Sequence, residues 1–208
     1  MKPKLVLIIG GARSGKSNLA DALAARLGPR VLYVATAEPR DPEMFVRIQA
    51  HRHARPAGWR TVEAWRDAGS VISASLAVEP VDVVLVDCLT LLVSNAVLRG
   101  LSDPLPEEML NSAEEESARS QVDLELSGLL EAWKTSVSPW IVVTNEVGLG
   151  LVPPYPVGRV YRDLLGWANR RIAAVADHVY LMLAGLPIDV KALGLATGLL
   201  DQFPAEDR

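Results

Sequence analysis

Gly10, Gly11, Ala12, Arg13, Ser14, Gly15, Lys16 and Ser17 fit G-x-x-x-x-G-K-[S/T], a loop that cradles phosphate groups. The pattern constrains the fold because it works only between a strand and a helix. Both flanks comply. Residues 4–9, Lys-Leu-Val-Leu-Ile-Ile, read as a short buried parallel strand. Residues 18–27 place Leu19, Leu23 and Leu27 at helical spacing. Gly10 and Gly15 let the backbone bend close to an anion, and the loop N–H groups converge on it. The helix start adds its positive dipole end. Lys16 can then reach the outer phosphates, and the Ser17 hydroxyl can ligate Mg2+.

Beyond the loop, apolar strands alternate with helical stretches. Residues 31–36, 81–87, 140–144 and 178–183 read as further strands. Residues 59–65 read as a short strand or an extended connection. Helices are expected over 42–54, with Pro42 in its first turn and Pro56 beyond its end, then over 67–76, 89–98, 107–134 and 160–176. Val122, Leu126, Leu129, Leu130 and Trp133 share one face of the 107–134 segment. Glu107, Glu108, Glu114, Glu115 and Glu116 read as its solvated side, not a metal site. A glycine- and proline-rich loop is expected over 148–158. This alternation predicts an α/β fold with a parallel sheet covered on both faces.

The 208 residues suit one domain spanning 1–208, and half of them are hydrophobic. The net charge of −4 comes with no basic block, which argues against a nucleic-acid-coating role. Cys88 is the single cysteine; it excludes an internal disulfide and suits a reducing compartment. No signal-peptide layout is visible, and no apolar run approaches the ~18 residues of a membrane span. A cytoplasmic protein without stable membrane insertion is the expectation.

In such sheets ligands bind at the carboxyl ends of the strands. Asp87 ends the third long apolar strand and reads as a carboxylate holding Mg2+ through water, with a helix cap as the alternative. Asn145 and Glu146 end the next strand, with catalytic and capping roles both open. Thr36, at the end of the second strand, is a weaker candidate, with an ordinary turn residue as the alternative. In residues 47–55, Arg-Ile-Gln-Ala-His-Arg-His-Ala-Arg, Met44, Arg47, Ile48 and His51 fall on one helical face. A histidine among arginines suits phosphate chemistry, since neutral imidazole is a nucleophile and guanidinium groups hold phosphate. From spacing alone, a basic surface helix is the simpler reading. Arg159, Arg162, Arg170 and Arg171 are open between the same two roles. Cys88 reads as a small buried residue, because no base stands beside it in sequence.

Taken together, the blocks at 10–17 and 33–37, Glu43-Met44, Arg47-Ile48, His51-Arg52, Arg55-Pro56, 59–61, Glu63, 87–90, Asn95, 144–153, Gly158-Arg159, Arg162-Asp163, Gly166, Asn169, Ala173 and Asp177 resemble one family. It is the bifunctional adenosylcobinamide kinase/adenosylcobinamide-phosphate guanylyltransferase family of cobalamin biosynthesis. The resemblance runs from Leu5 to about Lys191, with His51 and residues 145–153 its most specific parts. It implies a P-loop NTPase-type, RecA-like, mostly parallel sheet flanked by helices. It also implies two reactions: phosphoryl transfer from ATP or GTP to adenosylcobinamide, then GMP transfer from GTP through a guanylylated histidine.

The matching histidine is His51, four residues after Arg47 and just before Arg52. By the same matching, His51 and Lys16 are catalytic. Gly10 to Ser17, Ala35, Thr36, Ala37, Arg52, His53, Ala54, Arg55, Glu63 and Asp87 bind nucleotide, and Ser17 and Asp87 hold Mg2+. The resemblance implies a homo-oligomer, a trimer, and a corrinoid substrate; a shallow apolar groove at a subunit boundary is the hypothesis for where the corrin ring docks. Two departures stand out: Ala50 replaces a histidine that some relatives carry beside the nucleophile, and residues 153–156 are proline-rich. A kinase without the histidine step and a nucleotide-dependent switch are the competing readings.

Overall fold

The computed structural model describes residues 3–40, 42, 45–46, 48–49, 52, 55–102 and 110–196. Strand β1 (Leu5–Gly10) leads through the glycine loop into α1 (Lys16–Leu27). Then come β2 (Val31–Ala35), β3 (Arg60–Glu63), α2 (Ala68–Val78), β4 (Val83–Asp87) and α3 (Leu89–Arg99). The rest comprises α4 (Ser112–Thr135), β5 (Trp140–Asn145), α5 (Pro156–Val175), β6 (His178–Leu183), β7 (Leu186–Asp189) and α6 (Val190–Ala196). Of the helix expected over 42–54, Pro42, Phe45, Val46, Ile48, Gln49 and Arg52 have helical backbone; the others lie outside the described residues. No helix among the described residues is long and apolar enough to cross a membrane.

The strands form one sheet in the order β3-β2-β4-β5-β1-β6-β7. All neighbours are parallel except β6 and β7, which pair antiparallel at the edge. Because side chains alternate along a strand, each buried strand feeds two cores. Leu7, Leu32, Val34, Val84, Val86 and Val142 face the core shared with α2, α3, α4 and α5. Ile8, Tyr33, Leu85, Ile141 and Val143 face Ala20 and Ala24 of α1. Continuous apolar runs are what such two-sided burial requires.

Two helix starts correct the sequence expectations, one open reading is decided, and two elements are added. Residues 59–65 resolve into the short strand β3. Helix α4 begins at Ser112, because Asn111 accepts from the backbone N–H groups of Ala113 and Glu114 while Glu114 reaches back to Asn111 N. Glu114 is therefore part of a capping box, and Glu115 and Glu116 are solvated. Helix α5 begins at Pro156, which shortens the 148–158 loop; proline suits a first turn because its missing N–H has no helical partner there. The hairpin partner β7 and helix α6 were not anticipated.

The two helices α2 and α4 touch through glycines. A β-carbon on Gly69 would stand 2.2 Å from the Gly128 carbonyl oxygen. No rotamer relieves a contact with backbone, so Gly69→Ala should cost about 1–3 kcal/mol, typical of overpacking. A lower urea midpoint checks this; an unchanged midpoint would show that the helices separate freely.

Candidate nucleotide site

The register brings the functional strand ends into one row. Ala35 of β2 pairs with Glu63 of β3 and with Asp87 of β4, Asp87 pairs with Val143 of β5, and Asn145 pairs with Gly10 of β1. One strand, β5, separates the phosphate loop from Asp87, a span of about 10 Å at ordinary strand spacing. Asn145 and Glu146 end that intervening strand.

The loop itself turns through two left-handed residues, Arg13 at φ 56° and Gly15 at φ 93°. Gly10 is fixed by packing: a β-carbon there would meet the Met182 carbonyl oxygen at 2.6 Å. The β6–β7 turn braces the loop from the other side, with Gly185 N donating to Ser14 O at 3.2 Å. Residues Arg13 to Asn18 line a depression of about 250 Å3. A larger cleft of about 590 Å3 lies between the starts of α4 and α5, lined by Leu110, Arg119, Arg159 and Leu164 among others, and contains no loop residue. The chemistry follows the loop.

Lys16 opens α1, is 8% exposed, and donates from Nζ to Gly11 O at 2.7 Å. Burial lowers its pKa; the proximity of Cys88 and of the Asp87 carboxylate acts the other way. Ser14 Oγ is buried without a hydrogen-bond partner among the described residues. An orphaned hydroxyl in a loop that leads into a helix N-terminus fits a phosphate, which brings acceptors to a donor-rich site. Ser17 and Asp87 add a hydroxyl and a carboxylate. Those hard oxygen donors suit Mg2+, which takes few protein ligands and completes its shell with phosphates and water. No cluster of three or more His, Cys, Asp or Glu side chains that could hold a metal exists among the described residues.

Asp87 does not cap the following helix. The N-cap of α3 is Cys88, with no side-chain cap. Instead, Asp87 Oδ2 accepts from the Tyr33 hydroxyl at 2.6 Å. Burial first, then the Asp87 charge, pushes the Tyr33 phenol above its ordinary range, so it remains a donor. Arg55 lies 3.6 Å over the Tyr33 ring centroid and donates to Thr61 Oγ1 at 3.4 Å. Thr36 is fully buried, and its hydroxyl donates to Cys88 O and accepts from Cys88 N. It ties the turn after β2 to the turn after β4. Burial, with Asp87 beside it, pushes the Cys88 thiol up to about 12. The thiol is therefore protonated at neutral pH, and Cys88→Ala should leave the activity of folded enzyme intact; its loss would overturn this reading.

Several residues that hold the site were not singled out for a role. Asn145 N donates to Thr90 Oγ1 at 2.7 Å, and Asn169 Nδ2 donates to Asn145 O at 3.0 Å. Thr144 Oγ1 donates to Asn169 Oδ1 at 2.8 Å. Asn95 Nδ2 donates to Thr36 O and Trp65 O. A buried polar network placed under strand ends fixes the backbone there. The sequence signals were polar side chains at positions facing the core and the family resemblance, whose blocks include Thr90, Asn95, Thr144 and Asn169.

Other candidates are placed as follows. Glu63 is exposed at the end of β3, Ala37 is half-buried and Arg52 is exposed. His51, His53 and Ala54 lie outside the described residues. Glu146 Oε1 accepts from Gly148 N at 2.5 Å and so stabilises its own turn. Arg159 donates to the carbonyls of Pro153 and Pro154, and Arg171 pairs with Asp123. Both hold structure.

Residues 6–190 match the family described as cobinamide kinase / cobinamide phosphate guanyltransferase. The chain belongs to this family. It is 42% identical over 189 residues to the bifunctional adenosylcobalamin biosynthesis protein CobU of Salmonella typhimurium, covering 90% of this chain and 99% of that one. Identity to CobU of Escherichia coli is 38% over 187 residues, covering 90% and 99%. To the bifunctional adenosylcobalamin biosynthesis protein CobP of Pseudomonas aeruginosa it is 40% over 185 residues, covering 89% and 96%. Among solved structures, an ATPase of the type III secretion system of pathogenic bacteria superposes with a TM-score of 0.54 at 15% identity. That alignment covers 99% of this chain, which spans 55% of the ATPase chain; it shows a shared P-loop NTPase fold and nothing more. In this member of the cobinamide kinase / cobinamide phosphate guanyltransferase family, the glycine loop after β1 and the strand ends that carry Asp87 and Glu63 thus lie along one edge of the sheet.

Proposed function

We propose that this chain is a bifunctional enzyme of cobalamin biosynthesis that makes two transfers at one nucleotide site. In the first, the hydroxyl oxygen of the aminopropanol arm of adenosylcobinamide attacks the γ-phosphorus of ATP or GTP. The bond to the β-phosphate oxygen breaks, and the hydroxyl proton passes to a base or solvent. In the second, a ring nitrogen of His51 attacks the α-phosphorus of GTP and pyrophosphate leaves. The phosphate oxygen of adenosylcobinamide phosphate then displaces the histidine, giving adenosyl-GDP-cobinamide.

The observation that carries this reading is the phosphate loop at 10–17, set in the row of strand ends that brings in Asp87 and Glu63. Phosphoryl transfer needs chiefly positioning and neutralised charge. The loop N–H groups and Lys16 supply both, with Arg13 at the rim. Mg2+, held by Ser17 and through water by Asp87, would neutralise charge on the phosphates. Ala35, Thr36, Ala37 and Glu63 shape the base and ribose side, joined by Arg52, His53, Ala54 and Arg55 of the segment that carries His51. Covalent catalysis then divides a difficult displacement and keeps the nucleotide poised for a bulky acceptor.

Residues 1–208 act in this reading as one catalytic domain of a cytoplasmic homo-oligomer, a trimer. Light scattering at three chain masses supports the assembly; an active monomer removes it. Two labels test the chemistry. With γ-labelled ATP, label should pass to cobinamide; with α-labelled GTP, acid-labile and base-stable label should remain on denatured protein. Transfer to cobinamide without protein label would leave a kinase alone. Neither transfer, with slow hydrolysis and partner binding, would leave a switch.

A further inference from the structure

Strand β2 is fully buried and reads Val-Leu-Tyr-Val-Ala, so Tyr33 brings the one hydroxyl into an aliphatic strand. A buried phenol needs a partner for its O–H. The register supplies it: Tyr33 pairs with Leu85, and Asp87 stands two residues farther along β4, on the same face. That diagonal is within reach of an aromatic side chain. The Tyr33 hydroxyl spans it at 2.6 Å, the only hydrogen bond that the Asp87 carboxylate makes among the described residues. Arg55 covers the ring face, and the Trp59 ring lies 6.3 Å away. The hydroxyl is thereby shielded from water and committed to one oxygen of Asp87.

We infer that Tyr33 is a positioning residue for the metal-holding carboxylate: its hydroxyl fixes Asp87 Oδ2 so that Oδ1 is aimed at the nucleotide crevice. The inference rests on the proposed Mg2+ role of Asp87 and adds a partner outside the metal's own ligands. Such partners orient a ligating carboxylate and matter nearly as much as the ligand itself. They also explain why β4 can serve a site centred two strands away.

The test is Mn2+ binding, followed by electron paramagnetic resonance, to protein saturated with ADP. Tyr33→Phe keeps the ring and the Arg55 contact but removes the hydroxyl. It should weaken Mn2+ about tenfold, the lower end of the effect of losing such a partner. Asp87→Asn should weaken it at least as much, and the double variant no further than Asp87→Asn alone, because Tyr33 acts through Asp87. Asp87→Glu, which moves the carboxylate off the phenol while keeping its charge, should weaken Mn2+ like Tyr33→Phe. Unchanged affinity in Tyr33→Phe beside a weakened Asp87→Asn overturns the inference alone. Additive losses in the double variant overturn it too. Unchanged affinity in Asp87→Asn overturns the metal role of Asp87 and the inference with it.

Discussion

Lys16→Ala is expected to lower both transfers about a hundred- to a thousandfold, the usual effect of removing one preorganised group that stabilises transition-state charge. The side chain emerges at the first position of α1, where the helix end and the loop N–H groups already favour an anion. Its Nζ rests on Gly11 O at 2.7 Å, so the ammonium is held at the loop before nucleotide arrives. Lys16→Arg should not restore the rates, since a planar guanidinium does not replace a compact ammonium in a closed loop.

The same variant should not unfold. Burial lowers the Lys16 pKa below its ordinary 10.5, with Cys88 and Asp87 acting against it. The folded protein therefore binds this proton less tightly than the unfolded chain. Stability contributed by the group rises with pH through the window between its lowered value and the ordinary one, and is least below it. At neutral pH the buried ammonium is a liability, and its removal should leave the urea midpoint at or above that of wild type. Loss of both activities at an undiminished midpoint is the expected pair. Retained activity in the folded variant would contradict the placement of Lys16 at the reacting phosphates.

How much of this was legible in the sequence depended on how local each signal is. The phosphate loop, with its glycines and flanks, is contained in residues 4–27 and could be read whole. Strand β7 could not: Leu-Pro-Ile-Asp is four residues long, and its proline is tolerated because the strand lies at a sheet edge, which only the topology reveals. The start of α5 hid behind Tyr155, which gives no side-chain cap. The start of α4 was signalled by Asn111 and Glu114, but the glutamate sat in an acidic run that reads equally well as a solvated face. Asp87 was identified, yet its partner lies 54 residues away, and only the β2–β4 register joins them. Thr36 was underrated for the same reason, since both hydrogen bonds of its hydroxyl are to the backbone of Cys88. Nonlocal polar contacts leave little trace in one chain's sequence. The role of His51 rests on the family resemblance, because spacing alone describes a basic helix.

His51→Ala is expected to abolish protein labelling by α-labelled GTP while phosphoryl transfer to cobinamide continues. In the proposed scheme the first transfer passes directly between nucleotide and acceptor, whereas the second runs through a covalent protein intermediate. Arg55, four residues after His51 in sequence, lies over the Tyr33 ring, whose hydroxyl is bonded to Asp87. His53→Ala serves as the control, and it should still take label, because His51 alone occupies the position matched to the nucleophile. The decisive comparison is therefore between two histidines two residues apart, each assayed for label retention and for cobinamide phosphorylation. Label retained by His51→Ala would move the nucleophile elsewhere, and equal loss of both activities in folded His51→Ala protein would end the division of labour between loop and histidine.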